Sequence, residues 1–159
     1  MLSAGEDLVC ALGETVFHDL DDDPDVPQEV LRADLLTLRA STLVVRRELI
    51  LADLRDAALT AYGTTRAAVT ATAPAGYPVT REWAQLAWDA GGFDGLVWNS
   101  RRSADRLSYV LFMPPVGPRG VRRRRDLDAA GPPLPLVDGP GLGAVMTAAS
   151  ERNVTIVIP

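Results

Sequence analysis

Apolar and polar positions along the chain predict helices and strands in mixed order. The first predicted helix covers residues 5–18, where apolar residues recur at helical spacing. Ser3 and Glu6 stand at the spacing of a capping box. In this motif, at the start of a helix, the side chain of each residue accepts a hydrogen bond from the backbone amide of the other. The helix is expected to end before residues 19–29, DLDDDPDVPQE, because aspartates and prolines in such density are typical of a solvated loop.

The middle of the chain predicts strands followed by a short helix. Residues 34–46 are rich in Leu, Val and Thr, which favours two strands, or one strand with a break. Residues 46–54 extend the second of these strands. Residues 53–63 then predict a helix that ends at Gly63, since glycine is the usual residue just beyond a helix end.

A longer helix is predicted over residues 80–92. Thr80 is its expected N-cap, and Gly91 and Gly92 mark its end. Its apolar side chains fall on one face, formed by Trp83, Leu86, Ala87 and Ala90.

The last third of the chain adds strands and one more helix. Strands are predicted at residues 93–100 and 109–113, a helix at 142–153, and a final strand at 154–159. Strands and helices do not alternate strictly along the chain. The pattern therefore predicts an α+β fold with a mixed β-sheet and flanking helices, rather than a doubly wound parallel sheet.

Length, composition and net charge limit the classes to which the protein can belong. With 159 residues, the chain is expected to form a single domain, and its lone Cys10 allows no internal disulfide, which fits a cytoplasmic protein. No apolar run approaches the roughly 20 residues that cross a bilayer. All sixteen basic residues are arginines, yet the net charge is −5, which argues against direct binding of nucleic acid.

Glu14 is the first candidate for chemistry. On a helix it would neighbour Cys10, Ala11, Phe17 and His18, so three of its four neighbours are apolar. Ionisable groups in such surroundings cluster at functional sites. The alternative is a partly exposed glutamate that pairs with His18. His18 is the only histidine, so it cannot build a histidine-based metal site, and we interpret it as structural or as orienting Glu14.

Two further stretches have both a functional and an ordinary interpretation. Ser100 follows an apolar strand, at a position where ligands often bind, but it also fits the start of a turn after Asn99. The run Arg122–Arg125 fits a solvated loop or strand edge, or a site for an acidic partner or phosphate.

Three stretches together resemble the RES domain family, whose name records an Arg, a Glu and a Ser. They are ALGETVFHD (residues 11–19), RRELILADL (46–54) and YPVTREWAQLAWDAGGFDGLVWNSRRSADRLSYVLF (77–112). The last is the most specific: an aromatic residue and Thr before a helix, then Asp-Gly, an apolar strand, Ser-Arg, and another apolar strand. The similarity covers roughly residues 4–113.

The resemblance implies a function. RES proteins are toxins of bacterial toxin–antitoxin systems, with a fold like that of ADP-ribosyltransferases. They degrade NAD by phosphorolysis or hydrolysis of the nicotinamide–ribose bond, and an Xre-type helix-turn-helix antitoxin covers their active site. The family's catalytic Glu falls on Glu14 and its Ser on Ser100, which is expected to orient the nicotinamide ribose. NAD would be the substrate, inorganic phosphate a candidate acceptor, and no metal or other cofactor is implied.

One part of the family pattern has no counterpart here. The family's Arg, and a Tyr close to the Glu-bearing helix, lie in a segment before that helix, whereas this chain begins 13 residues before Glu14. We therefore expect residues 1–159 to form one N-terminally shortened RES-like domain. Arg101 is the nearest substitute in sequence for the missing cation. The alternative is a catalytically inactive remnant that only binds the antitoxin.

Overall fold

The computed structural model describes residues 1–20, 23, 26–71, 76–103, 105–114 and 120–158, without the side chains of residues 123 and 124. Ten strands lie in these ranges: β1 (Leu2–Gly5), β2 (Gln28–Leu31), β3 (Arg39–Ala40), β4 (Leu43–Val45), β5 (Leu51–Asp53), β6 (Gly95–Asn99), β7 (Leu107–Leu111), β8 (Leu127–Ala129), β9 (Leu134–Pro135) and β10 (Val154–Val157).

Six α-helices accompany the strands: α1 (Leu8–Gly13), α2 (Asp56–Ala61), α3 (Arg66–Val69), α4 (Tyr77–Ala90), α5 (Arg123–Asp126) and α6 (Gly139–Ser150). A 3-10 helix covers Arg32–Leu35. In the part of the chain that the structure describes, no helix has the length and apolar character needed to span a membrane.

A four-stranded sheet in the order β1-β7-β6-β5 forms the centre of the fold. β7 runs antiparallel to both β1 and β6, whereas β6 and β5 are parallel. The sheet is therefore mixed, and the predicted α+β class is confirmed. Three two-stranded sheets surround it, of which β10 with β2 is parallel, and β3 with β9 and β4 with β8 are antiparallel.

Neighbouring residues of the central strands pack in different hydrophobic cores. Val110 and Ala52 pack in a cluster that includes α4, whereas Leu111 and Leu51 pack against residues near β4 and β8. This division follows from the two-residue period of a strand, which sends neighbouring side chains to opposite faces of the sheet. A third core joins the end of α1 to α6 and the pair β2–β10.

The start of the chain differs from the prediction. Residues 2–5 form the edge strand β1, and α1 begins only at Leu8, with Asp7 as its N-cap accepting a hydrogen bond from the Cys10 amide at 2.8 Å. The predicted Ser3–Glu6 capping box is wrong, because Ser3 pairs with Val110 and the Glu6 carboxylate accepts from the Leu107 amide. Antiparallel pairing with β7 therefore replaces the predicted first helical turn.

The predicted start of the long helix also differs from the structure. The helix predicted from residue 80 begins at Tyr77, and Thr80 is not its cap, because the Thr80 hydroxyl donates to the Val69 carbonyl at 2.7 Å. Of the predicted apolar face, Trp83 and Ala87 are half-buried, whereas Leu86 and Ala90 are exposed. The predicted end is confirmed, since Gly91 ends the helix with φ 74°, a conformation that glycine adopts readily.

The remaining segments agree in part with the prediction. The short helix before Gly63 is confirmed as α2. Strands β3 and β4 lie within residues 34–46, but the segment begins inside the 3-10 helix. The last helix starts at Gly139, three residues before the predicted 142–153, and the final strand is confirmed within the described residues.

An ion-pair network around two buried carboxylates, Asp94 and Asp126, connects the segments that precede β5, β6 and β8. Arg47 binds the Asp94 carboxylate with two hydrogen bonds of 2.6 and 2.8 Å, and Asp94 also accepts from the Ile50 amide at 3.0 Å. Asp126 lies 3.4 Å from Arg47 and is paired with Arg125. The hydrogen bonds from Arg47 lower the pKa of Asp94, and those from Arg125 lower the pKa of Asp126.

We expect this network to make the fold sensitive to acid. Because the pKa of Asp94 is lowered by folding, its stabilising effect is present above the unfolded value of about 3.9 and is lost as pH falls through the folded value. Asp94→Asn should cost about 1–3 kcal/mol at pH 7. The difference from the wild type should shrink below about pH 4. Urea unfolding at pH 7 and pH 3 measures this, and an equal difference at both pH values would contradict it.

Candidate functional site

A pocket of about 640 Å³ lies between α4 and the central sheet. Its wall is mostly apolar. Trp88 of α4 lines one side, and residues in or directly after the central strands line the other: Leu54, Leu96, Trp98, Val110 and Phe112. Leu96 and Trp98 are two residues apart on β6, so both side chains point to the same face of the sheet. A concave apolar pocket with a few polar groups is the usual form of a small-molecule site.

Polar groups reach this pocket from several elements. Glu14 and His18 come from the end of α1 and the turn after it, Tyr77 and Arg81 from α4, and Arg101 from the segment after β6. Among the described residues that line the pocket, Glu14 alone carries a carboxylate. Any negative charge supplied by these lining side chains at neutral pH therefore comes from Glu14.

The backbone fixes Glu14 at the end of α1. It is the C-cap residue, and its amide donates to the Cys10 carbonyl at 3.0 Å. One carboxylate oxygen, Oε1, accepts from the Ser100 hydroxyl at 2.5 Å and from the Arg101 amide at 3.1 Å. The structure thus brings together two of the predicted site residues, Glu14 and Ser100, with the backbone of the third.

Ser100 lies behind Glu14 rather than in the pocket wall. It is fully buried, and its hydroxyl accepts hydrogen bonds from the amides of Arg102 and Ser103 at 3.2 and 3.1 Å while donating to Glu14. A hydroxyl has one proton to donate and two lone pairs, so all three positions are used. The Arg66 guanidinium also donates to the Ser100 carbonyl at 2.5 Å. Ser100 therefore holds both the turn after β6 and the orientation of Glu14.

His18 has a different partner from the one considered for it. Its Nε2 lies 2.6 Å from the Tyr77 hydroxyl, and the two rings stack with centroids 5.7 Å apart. Glu14 is instead hydrogen-bonded to Ser100, so the alternative pairing of Glu14 with His18 is not the arrangement in the structure. The stacked rings join the turn after α1 to the start of α4 and form part of the pocket wall.

The basic run Arg122–Arg125 is not among the residues that line this pocket. Its last three residues belong to α5, and Arg125 pairs with Asp126, which also accepts from the Arg122 amide at 2.7 Å. The side chains of residues 123 and 124 lie outside the described part of the chain. Across the residues that are described, no group of three metal-ligating side chains occurs.

Sequence reasoning missed the aromatic part of the site. Tyr77, Trp88, Trp98 and Phe112 line the pocket although none was predicted as a site residue. A usable signal was the two-residue spacing of Leu96 and Trp98 before Ser100, which places large side chains on the face of β6 next to the predicted site. The contribution of α4 had no comparable signal, because its position over the sheet depends on tertiary packing.

Comparison with known proteins identifies the class. The model of the RES domain family matches residues 1–136, so the chain belongs to the RES domain family. The match extends beyond the residues 4–113 on which the resemblance was first based. Searches among curated proteins and among solved structures gave no match for this chain.

The role of Ser100 leads to a stability prediction. Ser100→Ala leaves the Glu14 carboxylate and two amides without their shared partner, so it should reduce the free energy of unfolding by about 1–3 kcal/mol. Chemical denaturation with urea measures the loss. Ser41→Ala, at an exposed position, is the matched control and should change stability by less than about 0.5 kcal/mol. Equal effects of the two substitutions would contradict the assignment.

Proposed function

We propose that this protein degrades NAD by cleaving the bond between nicotinamide and ribose. The observation that carries the proposal is Glu14, a carboxylate fixed by Ser100 and the Arg101 amide at the edge of a largely apolar pocket. Membership of the RES domain family supports the same reaction. The pocket volume of about 640 Å³ lies in the range of small-molecule sites.

The chemistry of the bond fits a site with one carboxylate. When the bond between the ribose carbon and the pyridinium nitrogen breaks, its electron pair goes to the nitrogen and nicotinamide leaves as a neutral molecule. The leaving group therefore needs no proton, whereas ordinary glycosidases supply one from a second carboxylic acid. The ribose passes through an oxocarbenium-like state, and the negative charge of Glu14 stabilises it.

An acceptor then completes the reaction. Inorganic phosphate or water forms the new bond to the ribose carbon, giving ADP-ribose 1-phosphate or ADP-ribose. In the reaction with water one proton is released to the solvent, and no oxidation or reduction occurs in either case. In this proposal, Glu14 faces the ribose and Ser100 is a positioning residue. We assign Ser100 this role in place of the expected ribose contact, because Glu14 and two amides already occupy its hydroxyl.

The walls of the pocket suit the nicotinamide end of the substrate. Trp88, Trp98 and Phe112 offer flat apolar surfaces for an aromatic ring, and such surfaces also keep water away from the reacting carbon. Arg101 lines the pocket as well, and we propose that it faces the pyrophosphate, because a guanidinium fork matches phosphate oxygens. An Xre-type antitoxin that covers this pocket is the proposed protein partner.

Loss of NAD is the direct test. Purified protein incubated with NAD, with and without phosphate, should consume NAD, and chromatography of the products should identify the acceptor. Glu14→Gln keeps the shape of the side chain but removes its charge, so it should lower the rate by about 10²–10³-fold. Glu82→Gln, at an exposed position of α4 outside the pocket wall, is the matched control and should leave the rate unchanged.

Two results would decide against the proposal. Absence of NAD loss with folded protein would exclude NAD cleavage by this chain. If that protein still formed a stable complex with an Xre-type antitoxin, the result would favour the alternative of a non-catalytic binding module. Equal rates for Glu14→Gln and Glu82→Gln would remove Glu14 from the mechanism even if NAD were consumed.

A further inference from the structure

Tyr77 and His18, the only histidine of the chain, form a hydrogen-bonded pair in the wall of the pocket. The Tyr77 hydroxyl lies 2.6 Å from Nε2 of His18, and the two stacked rings are inclined to each other by 28°. Stacking of the rings together with a short hydrogen bond gives the pair a defined geometry. The role proposed for Glu14 uses neither of these side chains, although all three line the same pocket.

Apart from each other, these two side chains have no hydrogen-bond partners in the part of the chain that the structure describes. Tyr77 is the first residue of α4, and His18 lies in the turn after α1, where its backbone carbonyl accepts from Arg102 at 2.9 Å. Both residues are half-buried. A phenolic oxygen that donates its proton to an imidazole keeps its lone pairs, so the Tyr77 oxygen can also accept a hydrogen bond from water in the pocket.

The two candidate acceptors place different demands on the site. Water must lose a proton as its oxygen bonds to the ribose carbon, so a base beside the water lowers the barrier. A phosphate dianion attacks through an oxygen that already carries negative charge, and that oxygen has no proton to lose. A general base in this pocket therefore serves hydrolysis and has no function in phosphorolysis.

His18 suits the role of that base better than Glu14 does. Oε1 of Glu14 already accepts from the Ser100 hydroxyl and the Arg101 amide, and in the proposed mechanism its charge faces the ribose cation. A proton taken up by Glu14 would neutralise that charge while the cation still needs it. An imidazole is neutral before it accepts a proton and is the side chain that most often does so near neutral pH, so with His18 as the base Glu14 stays ionised throughout.

We propose that Tyr77 and His18 form a proton relay for hydrolysis, with Tyr77 in contact with the attacking water; the inference rests on the proposed function. As the water oxygen bonds to the ribose carbon, one of its protons passes to the Tyr77 oxygen, while the Tyr77 proton passes to Nε2 of His18. The imidazolium then releases that proton to the solvent. ADP-ribose, neutral nicotinamide and one proton are the products, and both side chains return to their starting state.

Separate rates for the two products test the relay. Tyr77→Phe keeps the ring that stacks on His18 but removes the hydroxyl, so formation of ADP-ribose without phosphate should fall by about 10²-fold. Formation of ADP-ribose 1-phosphate at saturating phosphate should change by less than about threefold, because that route has no proton to remove. Tyr62→Phe is the matched control, an exposed tyrosine outside the pocket wall, and should leave both rates unchanged.

His18→Gln is the second variant, and it decides the outcome if Tyr77→Phe does not fold. Its side-chain amide still offers a hydrogen-bond partner to the Tyr77 hydroxyl but takes up no proton. It should therefore lose hydrolysis selectively, as Tyr77→Phe does, and circular dichroism of each variant shows whether the protein is folded.

Equal losses of the two rates in these variants would overturn the relay, because a pair that only supports the pocket affects both acceptors alike. Unchanged rates in both variants would overturn it as well. Wild-type protein that consumes NAD only when phosphate is present would contradict the relay and leave the proposed function intact. Absence of NAD loss under both conditions would instead remove the proposed function, and the relay with it.

Discussion

The hydrogen bond from the Ser100 hydroxyl to the Glu14 carboxylate is the contact on which the site depends. It joins residues 86 positions apart, at the end of α1 and just after β6. The same hydroxyl accepts two amides of the turn that follows, so one buried group sets both the turn and the direction of the carboxylate. Without it, the Glu14 carboxylate would keep its hydrogen bond from the Arg101 amide but lose the buried hydroxyl, so its place in the pocket would be less firmly fixed.

The central sheet makes this contact geometrically possible. β7 pairs with β1 on one side and β6 on the other, so the strand that leads into α1 and the strand that ends before Ser100 lie in one sheet. Cys10 of α1 lies 3.4 Å from the Ser108 hydroxyl of β7, which seats the helix on that sheet. The ion pair of Arg47 and Asp94 fixes the other end of β6. The carboxylate is therefore positioned by the end of α1 and by the turn after β6, both of which are anchored to the central sheet.

The pocket combines a mostly apolar wall with one carboxylate among its described lining residues, Glu14. Hydrogen bonds from the Ser100 hydroxyl and the Arg101 amide hold that carboxylate. This geometry and membership of the RES domain family are independent observations, and both support the proposed chemistry.

The sequence alone determined the α+β class, the helix ends at Gly63 and Gly91, and Glu14 and Ser100 as candidates, because glycine ends, strand patterns and motif spacing are local properties. Tertiary structure decided the rest. Pairing with β7 turned residues 2–5 into a strand despite a helical capping pattern. The partner of Glu14 and the aromatic wall of the pocket arise from contacts between distant segments, whose energies no local pattern records.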